Sequence, residues 1–179
     1  MPELSLPTVR AHRSFLAAVA EFRGEGRGSP ADASMIGSEI RDFGHRWSLP
    51  AGFAAYVDWL RLQVREDSPR PEGHVPSTTL WWVEDDDYLG RIAIRHRLTP
   101  HLREVGGHIG YDVRPSARRR GHATAMLRAA LPVARGLGIE SALVTCDVTN
   151  IASRKVIEVN GGVLGDQHGD KLRFWLPTS

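Results

Sequence analysis

The chain has 179 residues, 41% apolar and 25% charged, with 23 Lys and Arg against 21 Asp and Glu. That length suits one domain that buries roughly 70% of its extended-chain surface without disulfides or a structural metal, and the single Cys146 excludes an intrachain disulfide and any multi-cysteine zinc site. A net charge of +2 is a poor footprint for nucleic acid, no apolar run nears the roughly 20 residues of a membrane span, and MPELSLPTVR lacks an apolar secretory core, so a cytoplasmic protein without a membrane partner is expected.

In chain order, Phe15, Leu16, Val19 and Phe22 recur at helical spacing after Thr8, a candidate N-cap, and Gly24 closes that helix. GEGRGSPADAS (24–34) reads as a mobile loop. A second helix is predicted where Ile36, Ile40 and Phe43 share a face. A third follows Pro50, with Phe53, Val57, Leu60 and Val64 on one stripe. EDSPRPEGHVPS (66–77) carries prolines and a glycine that break regular structure. Beyond it the period changes to that of strands. TTLWWV (78–83), an acidic turn EDDD (84–87) and YLGRIAIRHR (88–97) read as a hairpin, because Ile92 and Ile94 alternate with Arg91, Ala93 and Arg95. The adjacent Trp81 and Trp82 must face opposite ways: one is expected in the core, the other free for a substrate groove. GGHIGYDV (106–113) reads as a further strand.

Met126, Leu127, Ala130, Leu131 and Ala134 then give one apolar face to a helix from about 121 to 137, with Pro132 inside it. SALVTC (141–146) is apolar enough for a strand buried on both faces. A helix is predicted from Asn150 to Asn160, closed by Gly161 and Gly162. Leu172, Phe174 and Leu176 alternate along a final strand. Helical crossovers between strands make an α/β fold.

The densest chemical signal is strand, basic loop, helix. Arg114, Arg118, Arg119 and Arg120 fall within seven residues just before a helix start. A helix N-terminus presents open N–H groups and a positive dipole end, and Gly121 and Ala123 let a bulky anion approach. Arginine adds forked donors suited to phosphate. A solvated basic turn has the same composition. The GxxxxGK[ST] and GxGxxG phosphate loops are both absent.

Arg118-Arg119-Arg120-Gly121-His122-Ala123 resembles the acetyl-CoA signature of the GCN5-related N-acetyltransferase (GNAT) superfamily, Arg or Gln, two residues, Gly, one residue, Gly or Ala. Asn150-Ile151-Ala152-Ser153, following a short apolar strand, is similar to the family's second element. The resemblance is close over about 106–164. It implies a mixed, mostly antiparallel sheet with a splayed strand pair, flanked by helices, with residues 1–75 as an N-terminal helical extension on a 76–179 acetyl-CoA-binding core. It further implies that main-chain atoms of Tyr111, Asp112 and Val113 meet the acetyl and pantetheine portions. Arg118 supplies charge, while Arg119, Arg120, Gly121, His122, Ala123 and Thr124 cradle the pyrophosphate. Asn150 reaches the pantetheine arm and Ser153 lies near the sulfur. The implied activity is direct acetyl transfer from acetyl-CoA to a primary amine.

The departures are specific. Ile157 stands where many relatives carry a proton-donating tyrosine, and Thr145 where some carry a glutamate base. The Asn-x-x-Ser spelling looks more like the branch that includes ribosomal-protein and some antibiotic acetyltransferases, which makes Ser153 a candidate acid for the departing thiolate. Candidate bases are His108, Glu104, Asp112 and a water chain. Asp112 shares a strand face with His108, but is expected to cap or to pair with an arginine. Cys146 is expected to be a buried hydrophobe, and the acidic run Glu84 to Asp87 a solvated turn. No metal site is expected. A homodimer paired through the C-terminal strand is allowed. The missing tyrosine and glutamate keep one alternative open, a degenerate acyl-CoA-binding sensor without turnover. A nucleic-acid module using the arginine turn is disfavoured by the balanced charge.

Overall fold

The computed structural model describes residues 1–179. A seven-stranded sheet organises it. The strands are β1 (Glu3–Ser5), β2 (Ser77–Glu84), β3 (Asp87–Arg95), β4 (Ile109–Val113), β5 (Ser141–Asp147), β6 (Val163–His168) and β7 (Lys171–Pro177). Their spatial order is β1-β2-β3-β4-β5-β7-β6. Every neighbouring pair is antiparallel except β4 and β5, which run parallel and register at one position, Ile109 opposite Val144. Past that point the two strands diverge. The C-terminal strand β7 lies between β5 and β6, so it has no free edge to pair across a dimer; the edges are β1 and β6.

Alternation on β2 to β4 divides the core into two layers. Leu80, Trp82, Ile92, Ile94, Ile109 and Val113 face α5 (His122–Gly136) and α6 (Ile151–Val159). Trp81, Val83 and Tyr88 face the opposite way, into an aromatic layer with α1 (His12–Gly24), α2 (Met35–Phe43) and α3 (Pro50–Leu62). Both tryptophans are therefore core, and neither is free for a groove. Phe15 of α1 sits at the centre of this layer, stacked on Trp81 at 5.3 Å and edge-on to Tyr88 at 5.1 Å and Trp47 at 5.0 Å.

The three N-terminal helices form where the apolar period predicts them. Thr8 caps a 3-10 turn that leads into α1, Ser34 caps α2 through the Gly37 N–H at 3.1 Å, and Pro50 opens α3. Val64 is an exception: α3 ends at Leu62, and Val64 is exposed. Three elements have no periodic signal: β6, whose six residues are all exposed, and two shorter ones. β1 extends the sheet by three residues, so the N-terminal segment is not wholly helical. α4 (Pro100–Glu104) is a single short helix capped by Thr99.

The segment 24–34 is a set of turns clamped to the sheet. Arg27 reaches Asp112 at 2.9 Å, Glu25 receives Arg118 through both oxygens at 2.7 and 2.8 Å, and Asp32 accepts the Gly28 and Ser34 N–H groups. The glycines and small polar residues that suggest mobility serve turns whose ends are held by these charges.

Candidate functional site

The divergence of β4 from β5 opens a gap in the sheet. The bonds Arg95 N–H to His108 O and Arg114 N–H to Leu89 O fix the alternation of β4 against β3. Gly110 and Asp112 exchange main-chain bonds with β3. The main-chain groups of Ile109, Tyr111 and Val113 are directed toward β5, which beyond Val144 is no longer there to meet them. Tyr111 thus turns its backbone into the gap, whereas that of Asp112 belongs to β3, and the Val113 carbonyl accepts Arg118 Nε at 3.0 Å.

On the α6 side, Asn150 caps the helix by accepting the Ser153 N–H at 3.1 Å, leaving its amide NH2 uncommitted. The Ser153 hydroxyl is 2.7 Å from the Tyr111 phenol. Burial pushes the phenol up to about 12. It therefore stays protonated and can donate to Ser153 Oγ, which leaves the serine's own proton free to point elsewhere. The sequence offers no tyrosine on α6, where Ile157 is fully buried in the core. It does offer Tyr111, and strand alternation was the signal that its ring faces α6.

At the other end of β4, the loop 114–121 sorts the four arginines into two kinds. Arg114 is spent inward, on Glu21 at 2.5 and 3.1 Å, on Ser14 Oγ and on the Tyr88 carbonyl. Arg118 is spent on Glu25 and Val113. Burial would raise the Glu21 carboxyl, but the bonds from Arg114 and Ser116 hold it below its usual range; the Arg118 bond does the same for Glu25. Only Arg119 and Arg120 are exposed and unpaired. The chain reaches α5 through two left-handed residues, Arg119 at φ 62° and Gly121 at φ 81°, and no side chain caps the helix. Its first N–H groups stay open. His122 has a fixed orientation: its Nδ1 accepts the Trp82 indole N–H at 3.2 Å, so its Nε2 carries the ring proton. Ala123 and Thr124 occupy the first turn.

The candidate bases are scattered. His108 is buried, and its Nδ1 accepts the Leu143 N–H at 2.9 Å. Burial, then the charges of Arg103 and Arg95, pull it down to about 4. Asp112 is paired with Arg27. Glu104 is exposed at the end of α4, 3.9 Å from His168. Thr145 Oγ1 accepts the Gly106 N–H at 3.1 Å and holds the loop before β4. Cys146 is buried, and burial raises its thiol above the ordinary value. The acidic run lies on the hairpin turn, where Glu84 meets the N-terminal amine and Asp86 meets Arg10.

A groove of about 810 Å³ runs from the gap, past Tyr111, Asn150 and Ser153, to the N-terminal helices, where Met35, Phe43 and Trp59 line it. The buried pair Glu39 and Arg91 also lines it, with the Tyr56 hydroxyl donating to Glu39 at 3.3 Å. No sequence signal singled out Glu39.

The family model for the acetyltransferase (GNAT) domain matches residues 38–163, starting within α2. The fold is similar to that of RimJ from Mycobacterium smegmatis, solved with CoA-disulfide: TM-score 0.65, 16% identity, covering 98% of this chain and 81% of that one. It is also similar to the PaiA N-acetyltransferase from Thermoplasma acidophilum in complex with coenzyme A, TM-score 0.60, 13% identity, 99% of each chain covered. A third likeness is to RimL, a ribosomal L7/L12 alpha-N-protein acetyltransferase, in complex with coenzyme A, TM-score 0.63, 15% identity, covering 98% and 93%. Among curated proteins none matches the sequence.

Proposed function

The chain belongs to the GNAT acetyltransferase family, and on that premise we propose that it moves the acetyl group of acetyl-CoA directly to a primary amine, using the gap between β4 and β5 as the reaction site. The observation that carries this reading is the juxtaposition at that gap. An uncapped helix start lies on one side, the Tyr111–Ser153 pair on the other, and a groove leads away toward α2 and α3. Arg119, Arg120 and the first N–H groups of α5 receive the pyrophosphate, with His122 Nε2–H as a further donor. Asn150 offers its NH2 to the pantetheine arm.

The chemistry then follows from groups already placed. The amine attacks the thioester carbonyl, and the Tyr111 main-chain N–H stabilises the oxyanion. The thiolate leaves and takes a proton from Ser153 Oγ, while the proton shed by the nitrogen of the tetrahedral intermediate passes through water to restore the serine hydroxyl. Tyr111 is the positioning residue, since its phenol occupies the serine's acceptor side and turns the serine proton outward. Of the carboxylates lining the groove only Asp42, exposed at the rim, is unpaired: Glu39 is held by Arg91 and Tyr56, Asp112 by Arg27 and Asp147 by Lys171. His108 is committed to Leu143 and too weakly basic. The amine therefore loses its proton to water before attack. Residues 1–75 form the acceptor side of the groove on the 76–179 core, and the need for acetyl-CoA makes the cytoplasm its working compartment.

The test is release of free CoA from acetyl-CoA across an amine panel, with the acetylated product identified by mass. Stoichiometric product is expected. Acetyl-CoA that binds but is never consumed would instead support the acyl-CoA sensor.

A further inference from the structure

The groove beside the gap holds charged groups that the acetyl transfer does not use. Its carboxylates are matched: Glu39 with Arg91, Asp112 with Arg27, Asp147 with Lys171, leaving Asp42 exposed at the rim. Two of its four arginines, Arg70 and Arg95, are not. Arg95, at the end of β3, is half-buried and has no carboxylate within ion-pair reach. It bonds only through Nη1, to the Gly106 and Gly107 carbonyls at 3.1 and 3.2 Å. Its Nε and Nη2 donors are left over. Arg70 likewise spends its guanidinium on the Gln63, Arg65 and Glu66 carbonyls, and its Nε is buried without a partner.

Arg95 also stands at the right place. Its Nη1 lies 3.9 Å from where a Cβ on Gly110 would project, and Gly110 precedes Tyr111 on β4. That puts the guanidinium on the groove face of the strand whose backbone opens into the gap. Burial and the charge of Arg91 lower the Arg95 pKa, as expected of a cation that lacks a counter-ion. A guanidinium held by two carbonyls with its remaining fork open is preorganised for a planar anion.

We propose that the groove selects amine acceptors that carry an anionic group, a carboxylate or a phosphate, which Arg95 holds through its free Nε and Nη2 donors beside the gap. This rests on the transferase reading and narrows its acceptor class. Protein N-termini without a nearby anion, and polyamines, are then poor acceptors.

The experiment has a binding arm and a turnover arm. In the first, CoA-loaded protein is titrated calorimetrically with N-acetylated amino acids of small, apolar and aromatic side chain, each against its amide, and with phosphoethanolamine against ethanolamine. The anionic member of at least one pair should bind about 10- to 100-fold more tightly, the range of a charge-assisted hydrogen bond. The carboxylate and phosphate pairs tell the two sources apart. Arg95→Met should bring the ratio to about one with CoA affinity unchanged, and Arg95→Lys, which keeps the charge, should retain part of it. Equal binding within every pair, binding of neither member, or a preference that survives Arg95→Met overturns the proposal. If Arg95→Met fails to fold, the Arg95→Lys ratio decides, and a ratio equal to wild type overturns it. The turnover arm repeats the pairs as free amines with acetyl-CoA. Transfer without anion preference sinks the acceptor assignment alone. Anion binding with no transfer to any amine sinks the transferase reading, and with it the acceptor class, and leaves Arg95 as an anion-binding residue only.

Discussion

Glu39 is the residue that a chemist looking into the groove would first take for a catalytic base, and its surroundings predict the opposite behaviour. Its carboxylate is 7% exposed and faces Arg91, which is 2% exposed, with the Tyr56 hydroxyl as a further donor. Arg91 Nε has no partner, so Glu39 is the only carboxylate that answers this guanidinium. Removing one member of a buried pair leaves the other charge uncompensated, at a cost of about 3–5 kcal/mol. For a chain of this size each kcal/mol moves the melting temperature by roughly 2–4 °C, so Glu39→Ala should melt roughly 6–20 °C lower. The double variant Glu39→Met with Arg91→Met removes both charges and should recover most of that loss. Melting followed by circular dichroism, with and without CoA, measures both. A Glu39→Ala protein that melts within about 2 °C of wild type refutes the argument that Arg91 depends on Glu39. If that variant also loses turnover at full CoA affinity, Glu39 is part of the chemistry.

Other outcomes follow from the same geometry. Gly121→Asp places a negative charge and a Cβ at φ 81° where phosphates would approach, and calorimetry should show CoA affinity lost; Arg118→Ala should weaken it much less, because Arg118 is bound to Glu25. Tyr111→Phe should lower kcat about 10-fold with the acetyl-CoA KM nearly unchanged, the scale of one hydrogen bond made in a polar relay, and Ser153→Ala should lower it at least as far; a Tyr111→Phe enzyme with wild-type kcat removes the positioning role. His108, about 4 when folded and near 6.5 when unfolded, binds its proton more readily in the unfolded chain. Stability should therefore be full above pH 6.5 and fall as the pH drops toward 4, by on the order of 2 kcal/mol. Urea titrations at pH 7 and 5 should show that slope in the wild type and a shallower one in His108→Gln. Deleting residues 1–66 strips Glu39 from Arg91 and uncovers Trp81, Val83 and Tyr88, so the truncated chain should be insoluble rather than a working CoA-binding core.

What the sequence made legible was whatever repeats with a period. The β2–β3 hairpin, β5, β7, the three N-terminal helices, α5 and α6 announce themselves through apolar spacing, β1 and β6 do not, and the strand–loop–helix order locates the basic loop. What it hid were the partners of charged side chains, because an ion pair between residues 93 positions apart leaves no local trace. The four clustered arginines show this best. Counted along the chain they are one basic patch. In the fold, Arg114 and Arg118 pair with Glu21 and Glu25 on α1 and its following turn, and only Arg119 and Arg120 are left without a partner. The same blindness covers Arg95, which reads as the outward residue of a β3 alternation and is instead a half-buried cation without a counter-ion.

Those two corrections bear on one another. The loop that looked most electropositive has half its charge neutralised, and the strand end that looked ordinary keeps a cation unmatched. On the proposed reading, the phosphate side of the site relies on backbone N–H groups and two arginines, whereas the acceptor side holds an arginine with no carboxylate partner in the chain. A single contrast checks this division. Arg119→Ala with Arg120→Ala should weaken CoA and leave the ranking of acceptors intact, while Arg95→Met should do the reverse. Kinetics with acetyl-CoA and the acceptor varied in turn would resolve the two KM values. If both variants move the same constant, the groove is one continuous anion site and the division between its two sides is wrong.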